Sequence, residues 1–347
     1  MKILKRIASV LLVLLALLFI ARGVGRNINN MTPADGVNES MYVNINGSRQ
    51  WINIYGQDRE NPVLLYLHGG PGSATSAFDY VITRPWSDVY TVVTWDQRGC
   101  GKSYDPSRSE AITADIMMQD GREMTEFLRE HLGVDRITLL GHSWGSYFGA
   151  NLALAYPEYY AAFIGAGQFI DEEENESRLY EAALAWSEDD PEGRAMVEDW
   201  GRDPFSLDGL MQRNGILKRY GYDMMKDGTD YNRAAAVLFN PNYSLKDLIA
   251  GGGNSAKAME PYLDFISTGL AGMSLQGRYD YQIPFYNING YMDYQTNFDL
   301  ACDYFSQVNA PRKRLFVLKN ATHGLLESRS REFSKIVHEI ASLEKER

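Results

Sequence analysis

Cysteine is almost missing: Cys100 and Cys302 are the only two in 347 residues, too few for a disulfide framework or a cysteine-rich zinc site. A basic excess is missing too. Lys and Arg total 34 against 45 Asp and Glu, a net charge of −11, which argues against a nucleic-acid partner, since phosphate binding needs a basic surface. There is no His-Glu-x-x-His or His-x-x-Glu-His spacing, so a metal hydrolase is disfavoured and no metal ligands are expected. No Gly-x-Gly-x-x-Gly opens a helix after a strand, so no dinucleotide cofactor is implied, and no cofactor of any kind is expected. Internal repeats and low-complexity tracts are absent. What remains is an average globular composition, 45% hydrophobic and 23% charged, in a chain long enough to bury a large core without staples. Aromatic residues are 12%, consistent with a lined pocket.

One long apolar run exists, at the N-terminus. Lys2, Lys5 and Arg6 precede Ile7–Ala21, an uncharged stretch closed by Arg22. At 1.5 Å per residue it reaches about 22 Å as a helix, short of the roughly 30 Å hydrocarbon core. It reads as a signal-peptide h-region or as a short uncleaved anchor with its basic end in the cytoplasm. No Ala-x-Ala follows it, which favours the anchor. The body is therefore expected to be exported and tethered to the membrane, or secreted after cleavage. A sequon at Asn320 would place a glycan three residues from His323, which favours a bacterial source. Residues 23–40 are polar and read as a linker.

Beyond the linker, Met41–Ile45 and Gln50–Tyr55 flank Asn46-Gly47, a hairpin signal. Short apolar runs follow at Val63–Leu67, Thr91–Trp95, Ile137–Leu140, Ala161–Gly165, Phe285–Asn289 and Leu315–Leu318. Helical stretches separate most of them: Thr113–Leu132, one after Ser143, and Ser328–Glu344. That alternation predicts an α/β domain with a mainly parallel sheet. Between Asp171 and Ile283 the rhythm breaks. The chain there is acidic, rich in helix formers, interrupted by Gly251–Gly253, and reads as a helical insertion between two strands. The expected units are an anchor and linker (1–30), a core in two parts (31–170 and 284–347) and the insertion (171–283).

The sharpest chemical signal is Gly141-His142-Ser143-Trp144-Gly145, set between a strand and a helix. A serine on so sharp a turn presents its hydroxyl at the carboxyl edge of the sheet, and the flanking glycines avoid clashes. His68-Gly-Gly-Pro-Gly72 follows another strand. Acyl transfer needs backbone N–H groups aimed at the developing oxyanion, and Gly70 and Trp144 are the candidate donors, Pro71 having no N–H. A hydroxyl also needs a base, and the base an orienting carboxylate. His68 and His142 belong to these loops, and His131 and His338 sit in helical stretches. His323, in Asn320-Ala-Thr-His-Gly324 after a late strand, is the candidate base. Asp293 follows Phe285–Asn289 and is the candidate acid. Asp299 and Asp303 fall in the next helix, and Asp280 precedes the strand. The predicted triad is Ser143, Asp293 and His323.

His68–Gly72, Asp96-Gln-Arg-Gly-Cys-Gly-Lys-Ser103 and Gly141–Ser146 together resemble the proline iminopeptidase (prolyl aminopeptidase) branch of the α/β-hydrolases, over roughly residues 41–170 and 284–347. The resemblance implies an eight-stranded, mainly parallel sheet flanked by helices, with a helical cap inserted after the sixth strand. It implies a Ser-Asp-His hydrolase that releases an N-terminal residue, often proline, from short peptides. Proline-specific members carry cap glutamates that bind the free α-amino group. Here that place reads Gly167–Ser177, where Glu174-Asn175 matches in part and the aromatic is missing. Glu172, Glu173, Glu174 and Glu176 are all candidate amine anchors. The same run also reads as an acidic first turn of a cap helix, favoured by the helix dipole. Asp96 and Arg98 are expected to brace loops, and Cys100 to be structural or incidental. An esterase or amidase of small acyl substrates is the alternative, and a non-catalytic ligand-binding member a distant one.

Overall fold

The computed structural model describes residues 2–108, 110–249, 262–269 and 272–346; the predicted Gly251–Gly253 interruption lies outside them. Eight strands form one sheet in the order β1-β2-β4-β3-β5-β6-β7-β8. They are β1 Val37–Ile45, β2 Ser48–Gly56, β3 Val63–Leu67, β4 Thr91–Asp96, β5 Ile137–His142, β6 Tyr160–Ala166, β7 Phe285–Gly290 and β8 Lys313–Leu318. The first two make an antiparallel hairpin, turned at Asn46 and Gly47, both with positive φ, as the favoured two-residue turn requires. Strand β2 also meets β4 antiparallel, and every pairing from β4 across to β8 is parallel.

The central strands are buried on both faces, which is why they read as unbroken apolar runs. Side chains alternate between two cores: Leu65 and Leu67 enter one, Leu64 and Tyr66 the other. Helix α2 (Tyr80–Thr83) is a short turn before β4. The first core is covered by α3 (Ala114–Leu132) and α4 (Trp144–Ala155). Thr113 caps α3 by accepting from the Ile116 N–H, and Gly133 ends it in the left-handed conformation, both ordinary helix punctuation.

Between β6 and β7 come α5 (Glu172–Trp186), α6 (Pro191–Trp200), α7 (Leu207–Arg219), α8 (Arg233–Leu238) and α9 (Leu245–Ile249). Three of them share a small core of Leu179, Ala183, Val197, Trp200, Ile216 and Leu217. This is the helical layer expected there. After β7, α10 (Phe298–Gln307) joins the first core. After β8, α11 (Leu325–Ser328) and α12 (Ser330–Lys345) close the second through Phe333, Val337 and Ile340.

Residues 23–40 differ from the expected free linker. Helix α1 (Lys2–Asn29) carries the apolar run and continues through Arg22 to Asn29, and β1 begins at Val37. Only residues 30–36 are irregular. Helix α1 is long and apolar enough to cross a membrane, with a mean hydropathy of 2.6 over its most apolar window.

Candidate active site

The carboxyl ends of β3, β5, β7 and β8 deliver the loops that carry the chemistry, as expected of an open parallel sheet. At the end of β5, Ser143 has φ 56° and ψ −127°, outside the regions an L residue ordinarily adopts and of the kind that costs about 1–3 kcal/mol. Its N–H donates to the Ala166 carbonyl at 2.9 Å. Both elbow glycines are required by close approach. A Cβ on Gly141 would collide with the Gly145 carbonyl, and one on Gly145 with the Leu67 carbonyl. Helix α4 begins directly after Ser143 and turns its positive end toward the site.

His323 Nδ1–H donates to Asp293 Oδ2 at 2.8 Å, with both side chains almost fully buried. The carboxylate is held in turn: Gln295 N–H and Thr296 N–H donate to Oδ1 at 2.9 and 3.0 Å, and the Thr296 hydroxyl to Oδ2 at 3.0 Å. Proton placement on Nδ1 leaves Nε2 as the acceptor. Ser143 and His323 open onto one cavity of about 480 Å³ that Gly69, Gly70, Phe78, Met224, Met225, Arg233 and Glu327 also line. Among the described residues no hydrogen bond joins Ser143 to His323, a contact that tightens when substrate is bound. Neither the Gly70 nor the Trp144 N–H has a partner among the described residues, so both are free to donate to an oxyanion.

His142 has a role that its place in the elbow did not announce. Its Nε2–H donates to the His323 carbonyl at 3.0 Å, and the two rings lie 4.9 Å apart. Burial, reinforced by His323, pushes its pKa down to about 3, so it is a neutral prop that fixes the His323 backbone. His68 is likewise pushed down to about 4 by burial. Its Nδ1–H donates to Gly69 O at 2.9 Å and its Nε2 accepts from Gln97 N–H at 3.3 Å, tying the glycine loop to the one after β4. Arg98 grips Asp120 through two bonds of 2.7 Å, and Asp96 accepts from Ser76 Oγ and Lys102 N at 2.7 Å. Both brace loops, as their positions implied. Cys100 is fully buried, and burial raises its thiol well above the usual range, consistent with a structural role.

The acidic run splits by side. Asp171 caps α5 by accepting from Glu174 N–H at 2.8 Å. Glu173 and Glu174 are exposed, the latter paired with Arg178 at 2.8 Å. Glu172 and Glu176 are buried on the inner face. Glu172 lines a second chamber of about 160 Å³ together with Ser143, Gly70, Trp144, Phe169 and Arg213. Arg213 Nε lies 3.1 Å from Glu176 Oε1, although Nε makes no aligned hydrogen bond; the pairing is therefore chiefly electrostatic. The same guanidinium donates to Gln295 O at 2.5 Å. Burial raises Glu172 to about 7, against the pull of Arg213 and with a further push from Glu176. Burial raises Glu176 as well. Two carboxylates thus share one guanidinium, a cluster with room for one more positive charge.

Ser143, His323, Gly70, Trp144 and Glu172 therefore line two adjoining chambers, with Asp293 behind His323, whereas Glu173, Glu174 and Glu176 line neither. Sequence reasoning missed Arg213, Thr296, Gln295 and Glu327. The four-residue spacing of Glu172 and Glu176 was a usable signal, since it places both on one helix face.

Residues 62–207 match a family model described as alpha/beta hydrolase fold. The probable aminopeptidase YbaC of Bacillus subtilis (strain 168) is 25% identical over 294 residues, covering 81% of this chain and 89% of that protein. A proline iminopeptidase of Clostridioides difficile (strain 630) is 36% identical over 116 residues, covering 33% of this chain and 38% of that protein. The chain thus matches that enzyme over little more than a third of its length. The crystal structure of a proline iminopeptidase-related protein from Thermus thermophilus aligns with a TM-score of 0.55 at 21% identity, over 87% of this chain and 98% of that one. A membrane phospholipase A described as a bacterial virulence factor aligns with a TM-score of 0.57 at 17% identity, over 98% and 99%. At these identities the structural likenesses speak for the fold alone. Fold and family match together give the chain an α/β-hydrolase fold, and the curated relatives it is similar to are named aminopeptidase and proline iminopeptidase.

Proposed function

We propose that this hydrolase works through Ser143, His323 and Asp293 and removes the N-terminal residue from short peptides. The observation that carries the reading is the buried Asp293–His323 pair facing, across one cavity, a serine held at φ 56° between strand and helix. His323 Nε2 takes the Ser143 proton as Oγ attacks the carbonyl. Asp293 fixes the tautomer and stabilises the imidazolium. The N–H groups of Gly70 and Trp144 receive the oxyanion. The protonated His323 then hands its proton to the leaving amine, and water, activated by the same imidazole, releases the acyl group.

The substrate class rests on Glu172. A free α-ammonium in the smaller chamber would complete the charge balance of Glu172, Glu176 and Arg213, with the scissile carbonyl at Ser143 and the rest of the peptide in the larger chamber. Phe78, Met224 and Met225 in that larger chamber favour a second reading, an esterase or amidase for small acyl groups. We further propose that α1 is an uncleaved anchor, with Lys2, Lys5 and Arg6 kept in the cytoplasm and the catalytic body exported.

Labelling of the full chain in detergent with a fluorophosphonate tests the nucleophile. A single adduct on Ser143, absent in Ser143→Ala, is expected. An unlabelled wild type would overturn the assignment and revive the non-catalytic reading.

A further inference from the structure

From the way the end of α1 meets the body, we propose that the N-terminal helix is retained in the mature protein and that its last two turns position the wall of the catalytic cavity. The apolar side chains from Ile3 to Ile20 stand about half or more exposed, whereas Arg22, where the apolar run stops, is only 4% exposed. A cation at the end of a membrane span ordinarily reaches outward to the headgroups. Arg22 instead turns into the protein and donates to the carbonyls of Leu238 and Tyr243. Arg26 donates to Pro241 O at 2.7 Å, and Asn29 Nδ2 to Phe239 O at 3.0 Å. Burying the Arg22 guanidinium is costly unless its donors are met, so its two bonds make a built seat, while Arg26 Nε has no partner among the described residues.

Gly25 points the same way. Glycine inside a helix costs about 1 kcal/mol relative to alanine, and here the cost has a use, because a Cβ on Gly25 would run into the Phe239 ring. Gly23, two residues earlier, has nothing within 4 Å of its own would-be Cβ. Only one of the two glycines is needed for contact.

The seat, residues 238–243, holds the catalytic wall. Asn240 Nδ2 donates to the carbonyls of Ser76 and Ala77 at 2.8 and 2.9 Å. Tyr243 Oη donates to Ser76 Oγ at 2.7 Å, and the Ser76 hydroxyl donates to Asp96 Oδ2 at 2.7 Å. The stretch Ser73–Thr75 just before Ser76, and Phe78 just after it, line the cavity with Ser143, and so does Arg233 at the start of α8. A continuous set of hydrogen bonds therefore runs from the membrane helix to the loop that carries Gly70. The body sits against the bilayer through this seat rather than on a stalk. Cleavage after α1 would remove all of these contacts, and cleavage between Arg22 and Asn29 would remove some of them.

The test uses the full chain in detergent and three readouts: the intact mass, which locates the mature N-terminus; amide exchange in residues 74–79 and 238–243; and the rate of Ser143 labelling by fluorophosphonate. The last rests on the nucleophile assignment above, and the first two do not, so the two ideas fail separately. Arg22 and Arg26 should be present in the mature mass. Gly25→Leu and Arg22→Ala should speed exchange in both segments about tenfold, the order expected for losing a hydrogen bond to a charged group. They should slow labelling about threefold or more, and Arg22→Lys should recover part of it. Gly23→Leu should match wild type throughout. A mature N-terminus within or beyond the apolar run, or Gly25→Leu behaving like Gly23→Leu in exchange and labelling, would overturn the proposal.

Discussion

Lowering the pH should erase the preference for a free amine. The quantity to follow is R, the ratio of kcat/KM for a prolyl arylamide to that for its N-acetyl counterpart. Taking the ratio cancels every step the two substrates share. Glu172 is raised to about 7, chiefly by burial, so its ionised form is present above that pH and lost below it. Each pH unit below 7 should therefore cost the free-amine substrate about tenfold, or 1.4 kcal/mol, in R. Above about pH 8 the substrate's own α-amino group loses its proton, and R should fall again. R is thus expected to be bell-shaped, with its maximum between about pH 7 and 8. Glu172→Gln should flatten the bell and lower its top by about 10²-fold, toward the low end of the range for truncating a buried charge partner. Continuous absorbance assays from pH 5 to 9 give R directly. A flat profile in the wild type, or a bell surviving in Glu172→Gln, would refute the assignment of Glu172 as the amine anchor.

The same carboxylate carries a stability consequence. A group whose folded pKa is raised stabilises the protein in its protonated form and loses that stability as pH rises through the folded value. With the shift from 4.5 to about 7, Glu172→Gln should be more stable than wild type at pH 8 by up to about 3 kcal/mol, the gap closing toward pH 4; thermal melts at both pH values check it, and equal melting temperatures at pH 8 would contradict it. Asp293→Asn retains an oxygen for the Gln295 and Thr296 N–H groups but inverts the His323 tautomer. It should keep the wild-type melting temperature while losing about 10⁴-fold in kcat, and a loss below tenfold would remove Asp293 from the triad. Gly145→Ala drives a methyl into the Leu67 carbonyl, a backbone atom that cannot rotate away. It should cost about 3 kcal/mol or more, seen as a large drop in melting temperature or as insoluble protein.

The core was legible because its strands are buried on both faces. Val63–Leu67 stands in the sheet with the bounds the apolar run suggested, and Ile137–Leu140 needed only Gly141 and His142 added. The elbow was legible for a related reason: two glycines and a serine meet a steric demand that can be recognised from spacing. The linker was misjudged, because polarity in residues 23–29 resembles a solvated segment while Arg22, Arg26 and Asn29 in fact direct theirs to carbonyls 210 or more residues away. Arg213 was invisible for the same reason. Its partner Glu176 lies on another helix, and no local period links them. Thr296, three residues after Asp293, was within reach of sequence reasoning, since a hydroxyl at that distance commonly bonds back to an aspartate in a turn.

The central claim is that Ser143 performs acyl transfer on substrates whose free amine is read by a buried carboxylate. Its most direct test is kcat/KM for the full chain at pH 7.5 on a prolyl arylamide, its N-acetyl counterpart and a p-nitrophenyl ester, with Ser143→Ala as the blank. The account predicts that the free-amine arylamide is cleaved, that the N-acetyl form is rejected by more than about 10²-fold, or about 2.7 kcal/mol, and that Ser143→Ala is silent on all three. Turnover of the ester alone, or of both arylamides equally, would leave the hydrolase without its amine anchor, and turnover surviving in Ser143→Ala would contradict the account at its base.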